Sequence, residues 1–126
     1  LGHFDVAANL LQDILTDRRK LFGEKDEDTM WTEASLARIY FKQGRFDEAQ
    51  YLFQSSRDAR REVLGELHPD TLWTEFYLGQ TFRQQGRAGE SASVLEDVVP
   101  KMQEVLGHKH KDTLACQSHL GSAYSK

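Results

Sequence analysis

Residues 63–86 read VLGELHPDTLWTEFYLGQTFRQQG. Within them Leu72, Trp73, Phe76, Tyr77, Leu78 and Phe82 fall at helical spacing with a wide apolar face, and no strand-like alternation competes. His68-Pro69-Asp70-Thr71 supplies the start, because proline is tolerated in the first helical turn and an acidic side chain suits the positive helix end. Gly86, in a Gln-Gly-Arg triplet, supplies the stop, since glycine takes the left-handed C-terminal conformation without a Cβ clash. The spacing predicts a helix over 70–85.

The same stretch recurs 42 residues away in both directions. Gly23, Gly65 and Gly107 share that spacing, as do Asp28, Asp70 and Asp112, and Leu36, Leu78 and Leu120. Aligning 23–64 with 65–106 gives 15 identities in 42 places. Unrelated segments would share about two or three at average residue usage. The 126 residues are three times 42, cut half a unit out of phase. Residues 1–22 form a half repeat, 23–64 and 65–106 full repeats, and 107–126 a second half. Starting at Leu1 in mid-repeat suggests a piece of a longer chain.

Each unit holds two helices. The first, A, covers 28–43, 70–85 and 112–126. The second, B, follows the glycine at once, as in 46–64, with Phe46, Ala49, Leu52, Phe53, Ala59, Val63 and Leu64 as its apolar positions. Arg57, Arg60 and Arg61 lie toward its C-terminal end, where the helix dipole favours cations. A solvated face accounts for them, and a basic docking patch extended by Arg18, Arg19 and Lys20 is the alternative. Pro100 falls inside the third B helix and removes a bond to the Glu96 carbonyl, so a kink or interruption is expected near Val99–Lys101. The order B–A–B–A–B–A is all-α, and hairpins that cannot bury their apolar stripes alone stack into a solenoid.

Composition narrows the function. A net charge of −4 is not a nucleic-acid footprint, and no apolar run is long enough to span a membrane. One cysteine excludes a disulfide framework and favours a reducing, cytoplasmic (intracellular) setting. No phosphate-binding loop, dinucleotide fingerprint or nucleophile elbow is present, so no enzyme activity and no cofactor are expected. His108 and His110 form an H-x-H pair near Asp112, but Glu24/Asp26 and Glu66/His68 do not repeat the ligand set, so no metal is expected. Cys116 reads as a packing thiol.

Leu36-Ala37, Tyr40, Gly44, Ala49 and Phe53 resemble the small and large apolar signature of tetratricopeptide repeats, as do Leu78-Gly79, Phe82, Gly86, Ser91 and Leu95. The 42-residue period and Val63-Leu64-Gly65-Glu66-Leu67-His68-Pro69-Asp70-Thr71-Leu72 resemble the kinesin light chain subclass, also found in signalling NTPases of the NB-ARC and NACHT type. The resemblance implies a right-handed superhelix of antiparallel helix pairs, with A helices lining a concave groove that binds peptides or protein segments. It places Trp31, Ala34, Ser35, Arg38, Phe41 and Lys42 of the first A helix on that groove. From the second it places Trp73, Phe76, Tyr77, Gln80, Arg83 and Gln84 there, and from the third Ala115, Ser118, His119 and Ser122. The Asn-Asn pair usual in kinesin light chain repeats is replaced by Ala34-Ser35, Phe76-Tyr77 and Ser118-His119. The carboxylate clamp of chaperone-binding members is missing too, so neither specificity carries over.

The groove chemistry suits a ligand with an apolar anchor and acidic neighbours. Trp31, Trp73, Phe76 and Tyr77 offer large contact area at low entropy cost, and Arg38, Lys42 and Arg83 share the wall. Trp31 and Trp73 have a second place open to them, between neighbouring repeats. Three readings follow: a protein-interaction module, an array that stacks head-to-tail through its complementary half repeats, or the regulatory repeat region of a signalling NTPase whose catalytic domain lies elsewhere.

Overall fold

A computed structural model describes residues 2–106 of the chain. Five helices follow one another: α1 (Gly2–Phe22), α2 (Glu27–Lys42), α3 (Phe46–Leu64), α4 (Pro69–Gln84) and α5 (Ala88–Leu106). No strand occurs among the described residues. They are the B and A helices of the sequence pattern in the order B–A–B–A–B, and the expected third A helix over 112–126 lies outside the described residues. Consecutive helices pack together. Of the non-consecutive pairs only α2 and α4 touch; α1 and α3 do not, nor do α3 and α5. The A helices therefore form the tighter, inner layer of the stack and the B helices the outer one.

Local chemistry fixes each boundary. Asp26 caps α2 by accepting from the amides of Asp28 (3.1 Å) and Thr29 (3.2 Å). At the matching place His68 caps α4, its Nδ1 accepting from the Asp70 amide at 3.1 Å, with Pro69 in the first turn. Gly44 (φ 78°) and Gly86 (φ 80°) end the A helices in the left-handed region. The next amides reach back, Arg45 to the Tyr40 carbonyl (2.8 Å) and Arg87 to that of Phe82 (2.9 Å), closing a Schellman turn each time. The rest of the triplet is used as well. The guanidinium of Arg45 lies 4.1 Å from the Tyr40 ring centroid and that of Arg87 4.5 Å from the Phe82 centroid. The glutamines stitch A to the preceding B helix: Gln43 Nε2 donates to Asp5 (2.6 Å) and Gln85 Nε2 to Asp47 (2.7 Å).

The arginines at the end of each B helix form the joint to the next A helix. Arg19 donates to Glu33 at 2.9 Å, and 42 residues on Arg61 donates to Glu75. Both carboxylates are buried, Glu75 to 2% exposure. Arg60 is buried too and donates to the Asp70 carbonyl and the Thr74 hydroxyl, both at 3.0 Å. Arg60 and Arg61 are thus neither a solvated face nor a docking patch. They cross from α3 to α4, where helix-end carbonyls and a buried carboxylate would otherwise lack donors.

Two clusters of buried side chains make the core. Leu36, Ala37 and Tyr40 of α2 meet Leu15 of α1, Phe53 of α3 and Leu78 of α4 in the first. Leu72 and Phe76 of α4 meet Leu95, Val98, Val99 and Met102 of α5 in the second. Gly79 stands at the α4–α5 crossing because an added Cβ would lie 3.0 Å from Leu95 Cδ2. α5 runs unbroken from Ala88 to Leu106 with Pro100 inside it, so the interruption expected at Val99–Lys101 does not occur. Val98, Val99 and Met102, on either side of the exposed proline, are held in the second cluster, and that burial outweighs one missing backbone bond. Replacing Pro100 with alanine is expected to stabilise the chain by about 1–2 kcal/mol. A higher urea midpoint would show it; an unchanged or lower midpoint would show that the proline has no cost in this helix.

Candidate functional site

A cleft of about 320 Å³ opens between α2 and α4, with α3 behind it. One wall is Trp31, Ala34, Ser35 and Arg38 of α2, and the other is Asp70, Trp73, Thr74 and Tyr77 of α4. Phe53 and Arg60 of α3 complete it. The spacing of both A-helix sets places them on one helical face, and the contact of α2 with α4 brings the faces together.

Three rings stack in a column along the α4 wall. Trp73 and Tyr77 are 4.8 Å apart and 15° from parallel, and Tyr77 and Phe53 are 5.6 Å apart and 5° from parallel. The Arg38 guanidinium lies 5.4 Å from the Tyr77 centroid, bridging the two walls. Trp31 faces the column from α2 and is 61% exposed. Of the charges, Arg60 is already tied to the Asp70 carbonyl and Thr74, and burial draws its guanidinium below the usual arginine range, opposed by Asp70 and Glu33. Arg38 is exposed and presents its cation at the rim.

The two tryptophans separate. Trp31 is exposed on the cleft, whereas Trp73 is half-buried, packing against the second core cluster while lining the cleft. Phe76 corrects the sequence expectation: it is 4% exposed and sits between α4 and α5, away from the cleft. Its ring is large enough to fill the gap around Leu95 and Val98, and that burial decides its side of the helix. Tyr77, next in sequence, takes the cleft. Lys42 is exposed at the far end of α2, its Nζ 5.8 Å from the Phe4 ring, outside the cleft. Phe41 packs edge-on against Phe46 at 5.3 Å. Gln80, Arg83 and Gln84 lie further along α4, beyond the cleft lining. Ala115, Ser118, His119 and Ser122 lie outside the described residues, as do His108, His110 and Cys116.

Phe53, Arg60, Asp70 and Thr74 belong to the cleft without having been expected there. Asp70 and Thr74 carry a signal, since they stand three and four residues before Trp73 and Tyr77, on the same strip. Phe53 and Arg60 come from the outer layer, and nothing in the A-helix pattern points to them.

A family model described as tetratricopeptide repeat matches residues 1–62 and 28–103. No curated protein sequence matches the chain. Among solved structures, a Podosopora anserina protein of nearly identical TPR-like repeats, assigned as a kinesin light chain, is 26% identical with a TM-score of 0.83. A single-substitution variant of it gives 26% and 0.85. Each comparison covers 98% of this chain, which spans 58% to 59% of those proteins. BtubC (BKLC) from P. vanneervenii, 17% identical, has a TM-score of 0.88 over 98% of this chain and 50% of its own, a likeness of fold. The right-handed, all-α solenoid of antiparallel helix pairs is common to these structures.

Proposed function

The chain belongs to the tetratricopeptide-repeat family, and from that premise we propose that it binds a segment of a partner protein in the cleft between α2 and α4. Repeats of this family are in general protein–protein interaction scaffolds and typically non-enzymatic. The observation that carries the reading is Trp31: a solvent-open indole facing the Trp73–Tyr77–Phe53 column, with the Arg38 cation at the rim. An apolar or aromatic anchor fits between the walls, and an acidic neighbour meets Arg38. No helix among the described residues is long and apolar enough to cross a membrane. The single cysteine supports a reducing, intracellular setting.

A random peptide library displayed on phage tests the reading. Selected peptides are expected to share an apolar anchor flanked by Asp or Glu and to quench the fluorescence of Trp31 and Trp73. Trp31→Ala with Arg38→Ala is expected to weaken them about tenfold or more. Both side chains are exposed, so the thermal midpoint should stay within about 2 °C of the parent. Peptides that bind parent and variant equally would overturn the reading.

A second reading rests on α1. Val6, Leu10 and Ile14 are 68%, 61% and 38% exposed. Leu10 and Ile14 stand 42 residues before Leu52 and Ser56 of α3, and those are buried, Ser56 donating to the Met30 carbonyl of α2. The α1 face therefore matches one that an A helix covers. Head-to-tail stacking of copies would cover it, and light scattering that stays monomeric up to millimolar concentration would count against that.

A further inference from the structure

We infer that the outer layer carries a second interaction surface, a cleft between α1 and α3 that takes a basic, amphipathic segment of a protein partner. The cleft measures about 540 Å³ and is larger than the one between the A helices. It exists because α1 and α3 do not touch, leaving α2 exposed between them. Leu15, Leu36, Tyr40 and Leu52 make an apolar floor, each no more than 6% exposed. Tyr51 stands at the edge with 66% of its surface free, an aromatic side chain of the kind that anchors interfaces.

Charge selects the occupant. Asp13, Asp47 and Glu48 line the cleft, and Arg19 is the one cation in the lining. Arg19 is already engaged by Glu33 at 2.9 Å and Glu24 at 3.5 Å. Glu48 is paired with Arg45, and Asp47 accepts from Gln85. Asp13 is exposed on α1 beside the floor. The field over the cleft is therefore negative, opposite to that of the Arg38 rim. An aliphatic side chain on the floor with a lysine or arginine toward Asp13 satisfies both features.

The repeat itself supplies a control. The scaffold between α3 and α5 is the same 42 residues on, yet it carries Ser55 for Asp13, Gly89 for Asp47, Ser93 for Tyr51 and Arg57 for Leu15. The acidic, aromatic character belongs to this junction and is not a demand of the fold.

Two 14-residue amphipathic helical peptides test the inference, one of leucine and lysine and one of leucine and glutamate. Titrated into the 15N-labelled chain, the lysine peptide is expected to shift the amides of Leu15, Thr16, Tyr51 and Leu52 and to bind at least about tenfold more tightly than the glutamate peptide. Asp13→Ser with Tyr51→Ser, which installs the next repeat's residues at two exposed positions, is expected to weaken the lysine peptide about tenfold while the dispersed spectrum is kept. Shifts centred on the Trp31 cleft, equal binding of the two peptides, or unchanged binding by the double variant would each overturn it. Asp13→Ser alone separates charge from the aromatic contact: no loss there, with a full loss in Tyr51→Ser, would refute the basic character of the partner.

Discussion

Phe76→Ala is expected to destabilise the chain by about 3–5 kcal/mol, the range for truncating a large buried aromatic. The ring is 4% exposed and closes the second core cluster between α4 and α5, against Leu95, Val98 and Met102. In a linear array the loss falls first on the nearest interface. Amide exchange in α4 and α5 should therefore accelerate more than in α1 and α2. Tyr77→Ala acts differently, although the residues are adjacent. Tyr77 is half-buried on the cleft, stacked between Trp73 and Phe53, so its removal opens space toward solvent and should cost less than half as much. Urea unfolding of the two single variants checks this. Equal destabilisation would mean that both rings are core, and the cleft would lose its wall.

The second large effect concerns the buried carboxylates. Arg61→Gln leaves Glu75 enclosed with no cation in contact, and its Oε2 already finds no donor among the described residues. Breaking such a pair costs about 3–5 kcal/mol when both members are buried. Arg61 is 34% exposed, so water can replace part of its contribution, and about 2–3 kcal/mol is expected at pH 8. The double variant Arg61→Gln with Glu75→Gln should recover most of it, because the buried charge is removed with its partner. The chain carries that replacement in its third unit, where the matching positions are Gln103 and Gln117.

The pH dependence has a definite sign. Burial pushes the carboxyls of Glu33 and Glu75 above the usual range, against the lowering influence of Arg19 with Ser55 and of Arg61 with Lys101, respectively. The folded chain then holds these protons more tightly than the unfolded one. Stability from these two groups rises as pH falls through their folded range toward the ordinary carboxylate range. Removing Arg61 raises the folded range of Glu75 further. The deficit of Arg61→Gln should therefore be largest at pH 8 and shrink toward pH 5. A deficit independent of pH would show that Glu75 does not carry it.

The period, the two helices per unit and their ends were legible in the chain because they depend on neighbours in sequence. Asp26, Pro69, Gly44 and Gly86 act within one turn of themselves, so their chemistry is the same in a helix of any fold. Trp31, Ser35, Arg38, Trp73 and Tyr77 were placed correctly on one face for the same reason: helical spacing alone sets which residues share a strip. Phe76 was not placed, because an A helix apolar on several sides gives no rule for which of two adjacent rings faces solvent. Pro100 was read as a break because local cost was visible and the burial of Val98, Val99 and Met102 was not.

The sequence by itself thus determined an all-α array of 42-residue hairpins, their caps, and the residues that share the inner strip. Tertiary structure alone decided which aromatic is wall and which is core, that Arg60 and Arg61 are joints between repeats, and that a negative apolar cleft lies between α1 and α3. The physical reason is range. Backbone hydrogen bonds and capping act within about four residues and are written locally. Burial, ion pairing and clefts depend on which surfaces of helices 10 to 40 residues apart come together, and packing settles that.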